Sequence, residues 1–435
     1  MAEKKSGKTT TAKASKTGGR AKKATAKSGG ARAKKTTSKT AAKSAKATSK
    51  SPAKSASKNA PSRNSKNKRH GILFTGFPGF IGRRLVEKLL PVWPDAEWYL
   101  LVLPAVMQQA EDEVADIVVR FPDAADKLHI VPGDISLPQF GLKDETAAKL
   151  KKKISHAFHL AAVYHLSVPK KVAYKVNVDG TVHVLDFLEE CPHFRRFEYV
   201  STCFVSGKRV GLVREEELEM GQGFKNFYEE TKFRAEVEVR KRMSKIPTII
   251  IRPGIVLGDS ATGETAKYDG PYYIMKLLKS LPSLVPLPSL GKMAAYVNLV
   301  PVDYIINAAA ALVQHPEAVG RTFHLADPRP LTAAEIFRMI ADHFEMRVLP
   351  LRLPGKALEA LLARYPKVGD TIGLPAELLT YFNHDARFDT TNTRMFLEPM
   401  GINCPYLPDY FDKIFGYFMS HPEIGASAKT GDNPA

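Results

Sequence analysis

Short apolar runs alternate with segments of helical spacing from residue 71 onward. The apolar runs predict strands over residues 72–75, 98–103, 128–131, 157–160, 197–200 and 248–251. The helical spacing predicts helices over 80–90, 171–188 and 225–243, and Pro91 ends the first of them. Strands separated by helices are typical of a parallel sheet covered on both faces. The pattern therefore predicts an α/β fold of the doubly wound Rossmann class, whose ligands bind at the carboxyl ends of the strands.

The same pattern divides the chain into four parts. Residues 71–257 hold the six strands and are predicted to form the Rossmann domain. Residues 258–425 are predicted to form a smaller substrate-side region, interleaved with strands that return to the Rossmann sheet at 297–302 and 322–325. Residues 1–70 and 426–435 lack this patterning, so we expect a disordered N-terminal tail and a flexible C-terminus.

Nearly all of the net charge belongs to the first 70 residues. They carry 22 Lys and Arg against one acidic residue, Glu3, whereas the other 365 residues carry 42 basic and 44 acidic side chains. Between Ala2 and Gly71 there is no Val, Ile, Leu, Met, Phe, Tyr or Trp, so burial cannot offset the entropy of ordering this segment. Such a chain predicts salt-dependent, nonspecific contact with DNA or another polyanion. A solvated spacer explains the composition equally well, and a transit peptide explains it less well because no apolar face is present.

Several classes of protein are excluded by the apolar pattern and the cysteines. The longest apolar runs, 98–107 and 304–313, fall short of the ~18–20 residues that a membrane helix needs. The N-terminus lacks the apolar core of a secretory signal. Cys191, Cys203 and Cys404 are too few and too scattered for a disulfide framework or a zinc site. We therefore expect no membrane span, no metal, and a cytoplasmic setting, with nucleoid or polyanion association through the tail as an alternative.

A glycine-rich turn joins the first strand to the first helix. Three glycines spaced three apart permit a tight turn, a close approach of pyrophosphate to the backbone and close helix packing. The N-terminus of the helix attracts phosphate. This turn predicts dinucleotide binding, and it reads Thr75-Gly76-Phe77-Pro78-Gly79-Phe80-Ile81-Gly82.

The turn resembles the T-G-x-x-G-F-[IL]-G signature of the extended short-chain dehydrogenase/reductase superfamily, and the resemblance extends over residues 71–420. Further matches follow the third strand, the fourth strand and the sixth strand, and one lies in a helix. The resemblance implies that Asp134 lies beside the adenine ring. It also implies cofactor contacts from the matching positions Asp134, Ile135, Ala161, Ala162, Asn177, Pro253 and Gly254.

In this superfamily the catalytic element is a Tyr and a Lys four residues apart, here Tyr228 and Lys232. Residues at this spacing share one helix face. A lysine ammonium favours ionisation of the phenol and can hold ribose hydroxyls of the nicotinamide cofactor, so the tyrosine can exchange a proton with a carbonyl oxygen. Such a pair is also common on solvated helices, but here it follows the fifth strand and a hydroxyl-bearing loop.

That loop begins Ser201-Thr202-Cys203. The superfamily keeps a Ser or Thr here to hydrogen-bond the substrate carbonyl. Aligning Val205-Ser206-Gly207 with the family's V-Y-G gives this role to Thr202 and makes Ser201 the alternative. Ser206 stands where the family pattern has Tyr. A hydroxyl that only caps the strand end is the competing interpretation.

Three further stretches, 134–142, 201–202 and 297–304, are similar to the male-sterility-type branch, which contains fatty acyl reductases and thioester reductases. The resemblance implies reduction of a fatty acyl thioester or related carbonyl to an aldehyde or alcohol. The small acyl substrate would arrive as a thioester of CoA or of a separate carrier protein.

The second strand does not show which cofactor is used. The branch commonly ends this strand with L-V-R, whereas this chain reads Leu101-Val102-Leu103-Pro104, and no acid follows the strand to mark NAD. Arg83 and Arg84 could reach a 2′-phosphate, so we favour NADP(H) over NAD(H). Alternatively, the two arginines lie on a helix face that is exposed to solvent and contact no phosphate.

Two other functions remain open on sequence grounds. A nucleotide-sugar epimerase or dehydratase, or a sterol or alcohol dehydrogenase, would use the same scaffold and Tyr/Lys pair. A polyanion-binding protein with a non-catalytic reductase-like domain would explain the tail. His159, His165 and His324 lack the partners of a triad or metal site, so packing roles are expected.

Overall fold

The computed structural model describes residues 70–164, 168–281, 287–289, 295–352 and 384–424. The strands, in chain order, are β1 (Gly71–Thr75), β2 (Glu97–Val102), β3 (Leu128–Pro132), β4 (Ile154–His159), β5 (Arg196–Val200), β6 (Gly211–Val213), β7 (Thr248–Pro253), β8 (Ile255–Leu257), β9 (Leu287–Ser289), β10 (Tyr296–Val297), β11 (Leu299–Pro301), β12 (Thr322–Leu325), β13 (Leu331–Thr332), β14 (Val348–Arg352) and β15 (Ala386–Phe388).

The helices, in chain order, are α1 (Phe80–Leu89), α2 (Met107–Arg120), α3 (Asp144–Lys151), α4 (Lys170–Ala173), α5 (Gly180–Glu189), α6 (Phe227–Arg242), α7 (Tyr272–Lys279), α8 (Val302–Leu312), α9 (Ala333–His343), α10 (Thr391–Leu397) and α11 (Leu407–Ser420). A π-helical turn, Tyr174–Asp179, joins α4 to α5, so the helix predicted over 171–188 is one helical segment with a widened turn. The predicted tail up to residue 69, the C-terminus 426–435 and His165 lie outside the described residues. No helix among the described residues is long and apolar enough to cross a bilayer.

Seven parallel strands form the central sheet, in the order β3-β2-β1-β4-β5-β7-β12. The six strands predicted for the first 257 residues are all present in it, which confirms the Rossmann prediction. Side chains alternate between two cores because successive strand residues point to opposite faces. Phe74 packs in the core formed with α1 and α8, and Leu73 packs in the core formed with α5 and α6.

One of the two predicted returning strands does not join this sheet. β12 does join it, at the edge beside β7. The stretch 297–302 instead forms β10, which pairs with β13, and β11, which pairs with β8. The polar Asn298 separates the two pieces, because its side-chain amide donates to Asp327 O and accepts from Asp327 N at 2.9 and 2.8 Å. In addition, both edges of β7 are already paired, with β5 and β12.

A third core supports the substrate-side part of the described chain. It contains apolar side chains of α7, α9 and α11, among them Met275, Ile340 and Phe411. Leu257 and Leu299 of the β8–β11 pair join the same core. This core therefore lies next to the carboxyl end of β7, where the chain leaves the Rossmann sheet.

Candidate active site

The glycine-rich turn has the geometry that a bound pyrophosphate requires. Gly76 has a φ of 92°, a left-handed conformation that favours glycine. A Cβ on Gly76 would lie 2.8 Å from Leu160 Cβ, and a Cβ on Gly82 would lie 2.3 Å from Gly76 O. Phe77 and Pro78 are buried, whereas Gly79 is exposed at the start of α1. A side chain at Gly76 would force the turn away from the end of β4, and one at Gly82 would force the turn away from α1.

The start of α1 offers unpaired backbone donors. Arg83 N makes the first hydrogen bond of this helix, to Gly79 O at 2.9 Å. Within the described chain no side chain caps the helix at Gly79. The amides of Phe80, Ile81 and Gly82 therefore remain available, as a phosphate-binding helix terminus requires. A dinucleotide fits the residues present here.

A buried chain of hydrogen bonds links Thr75 to the end of β4. The Thr75 hydroxyl lies 2.7 Å from His159 Nδ1 and accepts from Ala161 N at 3.3 Å. His159 Nε2 lies 3.1 Å from the Thr181 hydroxyl, which itself donates to Asn177 O. Burial lowers the pKa of His159 to about 3, so the ring is neutral. The network assigns the proton to Nε2, and His159 ties β1, β4 and α5 together.

The other predicted cofactor residues lie at the ends of neighbouring strands. Asp134 follows β3 and accepts from Ser136 N at 2.8 Å, and Ile135 beside it is buried. Ala161 and Ala162 follow β4 and are half-buried. Because all these strands are parallel, their carboxyl ends meet at one edge of the sheet.

Two of the predicted cofactor residues are held by specific polar contacts. Asn177 is 1% exposed; its side chain donates to Val163 O and Thr231 Oγ1 and accepts from Val163 N. It thereby connects the chain after β4 to α6. Gly254, after Pro253, donates to Leu325 O, and a Cβ there would lie 2.8 Å from Asn298 Oδ1. Contact of these residues with the cofactor remains a prediction.

Tyr228, Lys232 and Thr202 come together where β5 ends. Asn226 caps α6 by accepting from Glu229 N at 3.0 Å, so the helix begins at Phe227, one residue before Tyr228. The side chains of Tyr228 and Thr202 interact, and this interaction favours the ionised form of the Tyr228 phenol. The ammonium of Lys232 donates to Val200 O at 2.8 Å and lies 4.7 Å from the centre of the Tyr199 ring.

Burial sets the protonation of Tyr228 and Lys232, the predicted catalytic pair. It raises the pKa of Tyr228 to about 12, against the opposing effect of the interaction with Thr202. It lowers the pKa of Lys232 to about 8, against the opposing charge of Glu236. Near pH 7 the phenol is therefore protonated and the lysine is charged. A protonated phenol next to a cation can donate a proton to an oxygen that becomes negative.

The structure distinguishes the two hydroxyls of the loop. Both residues are buried, but the Ser201 hydroxyl donates to Glu236 Oε2 at 2.7 Å, whereas the Thr202 hydroxyl faces Tyr228. This supports Thr202 over Ser201 as the residue that contacts a substrate oxygen. Glu236 and Arg252, which hold Ser201 from behind, were not predicted. In the sequence, the spacing of Glu236, four residues after Lys232 and so on the same face of α6, could have indicated its contact with the site.

Arg83 and Arg84 are paired with acids. Arg83 lies 3.2 Å from Glu113 and 3.0 Å from Glu264. Arg84 lies 3.3 Å from Asp259 and 2.7 Å from Glu264. These ion pairs, and not a solvent-exposed helix face, therefore position the two arginine side chains. A 2′-phosphate would have to compete with the carboxylates.

A cleft adjoins the loop that carries Thr202. The space between its walls, which includes open solvent, is roughly 310 Å³, and the walls include Phe204, Ile255, Val297 and Phe388. Phe204 N donates to Thr202 Oγ1 at 3.3 Å, and Ile255 follows Gly254 directly. The cleft is therefore mostly apolar and lies between the catalytic loop and the end of β7.

Comparison with known proteins agrees with this geometry. The family model described as Male sterility protein matches residues 74–309. Fatty acyl-CoA reductase 1 of Arabidopsis thaliana is 25% identical over 355 residues, which cover 64% of this chain and 71% of that protein. Fatty acyl-CoA reductase wat of Drosophila melanogaster is 26% identical over 278 residues, 56% of this chain and 54% of that protein. The chain thus spans about half the length of the second relative.

A solved structure extends the similarity over most of the fold. The terminal R domain from the myxalamid PKS-NRPS biosynthetic pathway superposes with a TM-score of 0.71 and 26% identity. The match covers 83% of this chain and 92% of that domain. The fold and these similarities define an NAD(P)-dependent oxidoreductase of the extended short-chain dehydrogenase/reductase type. Because the family model covers more than half of the chain, the protein belongs to the male sterility protein family.

Proposed function

We propose that this protein reduces the carbonyl of an acyl thioester with a nicotinamide cofactor and releases an aldehyde. The observation that carries the proposal is the approach of Tyr228 to Thr202, with Lys232 anchored to Val200 O at the end of β5, at the edge of the sheet where the glycine-rich turn lies. When bound, the nicotinamide supplies hydride to the carbonyl carbon. The protein supplies the proton and the orientation of the substrate.

Each catalytic side chain has one task in this mechanism. Thr202 donates a hydrogen bond to the carbonyl oxygen and fixes its position. Tyr228 gives its proton to that oxygen as negative charge develops, and Lys232 stabilises the resulting phenolate. The tetrahedral hemithioacetal then loses its thiol to give the aldehyde. A second reduction of the aldehyde would give an alcohol by the same proton transfer.

The family relatives and the cleft support an acyl thioester as the substrate. Two relatives are named as fatty acyl-CoA reductases. The apolar walls of the cleft suit an acyl chain, and its position beside Thr202 would bring a thioester carbonyl to the catalytic loop. The thioester of CoA, or of a separate carrier protein, is the form in which we propose that the substrate arrives.

NADP(H) is the cofactor that we propose over NAD(H). No acid follows β2 to hold a ribose 2′-hydroxyl, since the chain there reads Leu103-Pro104. Arg83 and Arg84 lie in α1 directly after Gly82, the last residue of the glycine-rich turn. Their carboxylate partners, Glu113 and Glu264, are partly exposed, so a 2′-phosphate could exchange with them.

The test follows the oxidation of NADPH and of NADH with acyl-CoAs of varied chain length. Tyr228→Phe removes the proton donor, so we expect turnover to fall by about 10²- to 10⁴-fold while the cofactor still binds. Tyr174→Phe is the matched control, because the Tyr174 hydroxyl is also bonded to α6, through Glu230, outside the catalytic group. Full activity of the Tyr228→Phe variant would refute the mechanism.

A further inference from the structure

A cluster of buried polar side chains lies behind the catalytic residues. We call Ser201, Glu236, Arg252, His324 and Glu215 the Glu236 cluster. Its central contact joins Glu236 and Arg252: Arg252 Nε donates to Oε2 at 3.0 Å and Nη2 donates to Oε1 at 2.5 Å. Both side chains are fully buried. The cluster is therefore a bidentate ion pair without solvent access.

Arg252 is held from several elements at once. Its Nη1 donates to Glu215 O at 3.3 Å and lies 3.0 Å from His324 Nε2, and its Nη2 donates to Glu217 O. Burial lowers the pKa of His324 to about 3, so its neutral ring accepts at Nε2 and donates from Nδ1 to Asp389 O at 2.8 Å. The guanidinium thus has little freedom to leave Glu236.

The Glu215 carboxylate has a different task in the same cluster. It accepts from the backbone N–H of His324 at 2.9 Å and from the hydroxyl and N–H of Thr393 at 2.7 and 3.1 Å. It therefore joins β12 to the start of α10 and leaves Arg252 to pair with Glu236. The ion pair is fixed by both the Rossmann sheet and the last part of the described chain.

Stability alone does not explain a buried ion pair. Removing two charges from water is costly, and apolar residues of similar volume are often equally stable or more stable in such a place. What this pair touches is informative. Glu236 accepts from the Ser201 hydroxyl, and it lies four residues after Lys232 on α6. One carboxylate therefore contacts the catalytic loop and faces the catalytic lysine.

The backbone of the loop links the position of Ser201 to the orientation of Thr202. Thr202 is extended, with φ −157° and ψ 151°, so the side chains of Ser201 and Thr202 point to opposite sides. When Ser201 is bonded to Glu236, the Thr202 hydroxyl is directed to Tyr228. A shift of Ser201 would move Thr202 from the position where it meets the substrate oxygen.

We propose that Glu236, held by Arg252, is a positioning residue of this active site: its carboxylate supplies the counter-charge behind Lys232 and, through Ser201, sets the loop that carries Thr202. This inference rests on the proposed reduction. Four groups surround the Lys232 ammonium: Glu236 on its own helix, the Tyr199 ring and Val200 O on β5, and the neutral His159 on β4. Of the groups that act on its pKa, Glu236 is the one that raises it.

The test compares Glu236→Gln with Glu238→Gln, which removes a partly exposed carboxylate from the same helix. The wild-type rate of reduction should fall as the pH rises through about 8, because Lys232 loses its charge there. We expect Glu236→Gln to shift this fall by at least one pH unit towards acid and to lower kcat at pH 8 at least tenfold, with a smaller change in KM. Glu238→Gln should keep the wild-type profile.

A second variant separates positioning from folding. Glu236→Leu with Arg252→Met removes both buried charges together, so we expect a Tm close to that of the wild type. The shifted pH profile and the low kcat should persist in it. A wild-type pH profile in either variant, with only a change in Tm, would show that the Glu236 cluster is structural and would overturn the proposal.

An NMR titration of the Lys232 ammonium keeps this test independent of turnover. It should show a lower pKa in Glu236→Gln than in the wild type, and equal values would contradict the positioning role. If the wild type oxidises no nicotinamide with any acyl-CoA, the proposed function fails. Turnover by the wild type with an unmoved lysine titration in Glu236→Gln would refute the positioning role alone.

Discussion

At the residue scale, the sequence identified the candidate catalytic residues but did not show which side chains contact them. Tyr228, Lys232 and Thr202 lie together, as their spacing and order suggested. The choice between Ser201 and Thr202 needed the structure, because it depends on the contact of Ser201 with Glu236. Arg252 lies on β7, 16 residues beyond Glu236, and no local pattern shows that the two side chains meet.

The acids beside Arg83 and Arg84 illustrate the same limit. Glu113 lies on α2, and Glu264 and Asp259 lie in the chain after β8. These segments approach α1 only in the folded chain. Sequence alone therefore left a phosphate contact and a solvated face as equal choices for the two arginines.

Glu198 gives a prediction about stability. This β5 residue is 1% exposed, and within the described part of the chain neither carboxyl oxygen has a hydrogen-bond partner. Burial raises its pKa well above the ordinary 4.5, so between the unfolded and the folded pKa the folded protein keeps a proton that the unfolded chain has released. The resulting cost is absent below the unfolded pKa and grows as the pH rises towards the folded pKa.

Glu198→Gln should therefore raise the free energy of unfolding at pH 7 by about 1–3 kcal/mol. The gain should shrink as the pH is lowered towards 4.5. Urea unfolding of both proteins at pH 7 and pH 4.5 measures this difference. An equal effect of the substitution at both pH values would show that Glu198 does not take up a proton on folding.

At the element scale, the predictions succeeded where the apolar pattern was strong. Each of the six predicted strands is present, with its ends within three residues of the expected bounds. Helix α2 was not predicted, although Ala110 and Ile117 are buried and Met107, Val114 and Val118 pack partly buried against the same core. The prediction that residues 297–302 form a strand of the central sheet was wrong, because Asn298 binds Asp327 and divides this apolar stretch into two short strands.

The packing of α1 on the glycine-rich turn can be tested by substitution. Gly82→Ala would place a Cβ 2.3 Å from Gly76 O, so the turn must move. We expect a loss of about 1–3 kcal/mol in stability and at least tenfold weaker binding of the nicotinamide cofactor. Thermal unfolding and cofactor titration measure the two effects.

Gly416→Ala is the matched control for this helix glycine. Gly416 lies within α11, and a Cβ there would meet no heavy atom of the described residues within 4 Å outside its chain neighbours and its own helix backbone. Removing a glycine from a helix interior should stabilise the protein by about 0.5–1 kcal/mol and leave cofactor binding unchanged. Equal losses in the two variants would contradict the assigned role of Gly82.

At the scale of the whole molecule, charge and catalysis belong to different parts of the chain. Residues 1–70 carry nearly all the excess positive charge, whereas the predicted catalytic residues lie on the nearly neutral remainder. The α/β class and the six parallel strands of the first 257 residues followed from the sequence pattern, whereas the order of the strands in the sheet came from the structure. The arrangement of the substrate-side core did not, since it depends on contacts among α7, α9 and α11, which are far apart in sequence.

Removing residues 1–69 should separate these two properties. We expect kcat with an acyl-CoA to stay within about twofold, because no catalytic residue is lost. Binding to DNA should be lost with the tail, and in the full chain it should fall steeply between 50 and 200 mM salt, as expected for phosphate contacts. Electrophoretic mobility shifts and the NAD(P)H assay measure these effects. A large loss of turnover on truncation would refute the separation.

The central claim is that this chain transfers hydride from a nicotinamide to an acyl thioester. The most direct measurement follows NAD(P)H oxidation and release of free thiol from an acyl-CoA in the same reaction. We predict one cofactor oxidised per thiol released when the aldehyde is the product, and two when the alcohol is the product. Thiol release or product formation without net oxidation of the cofactor would contradict the account.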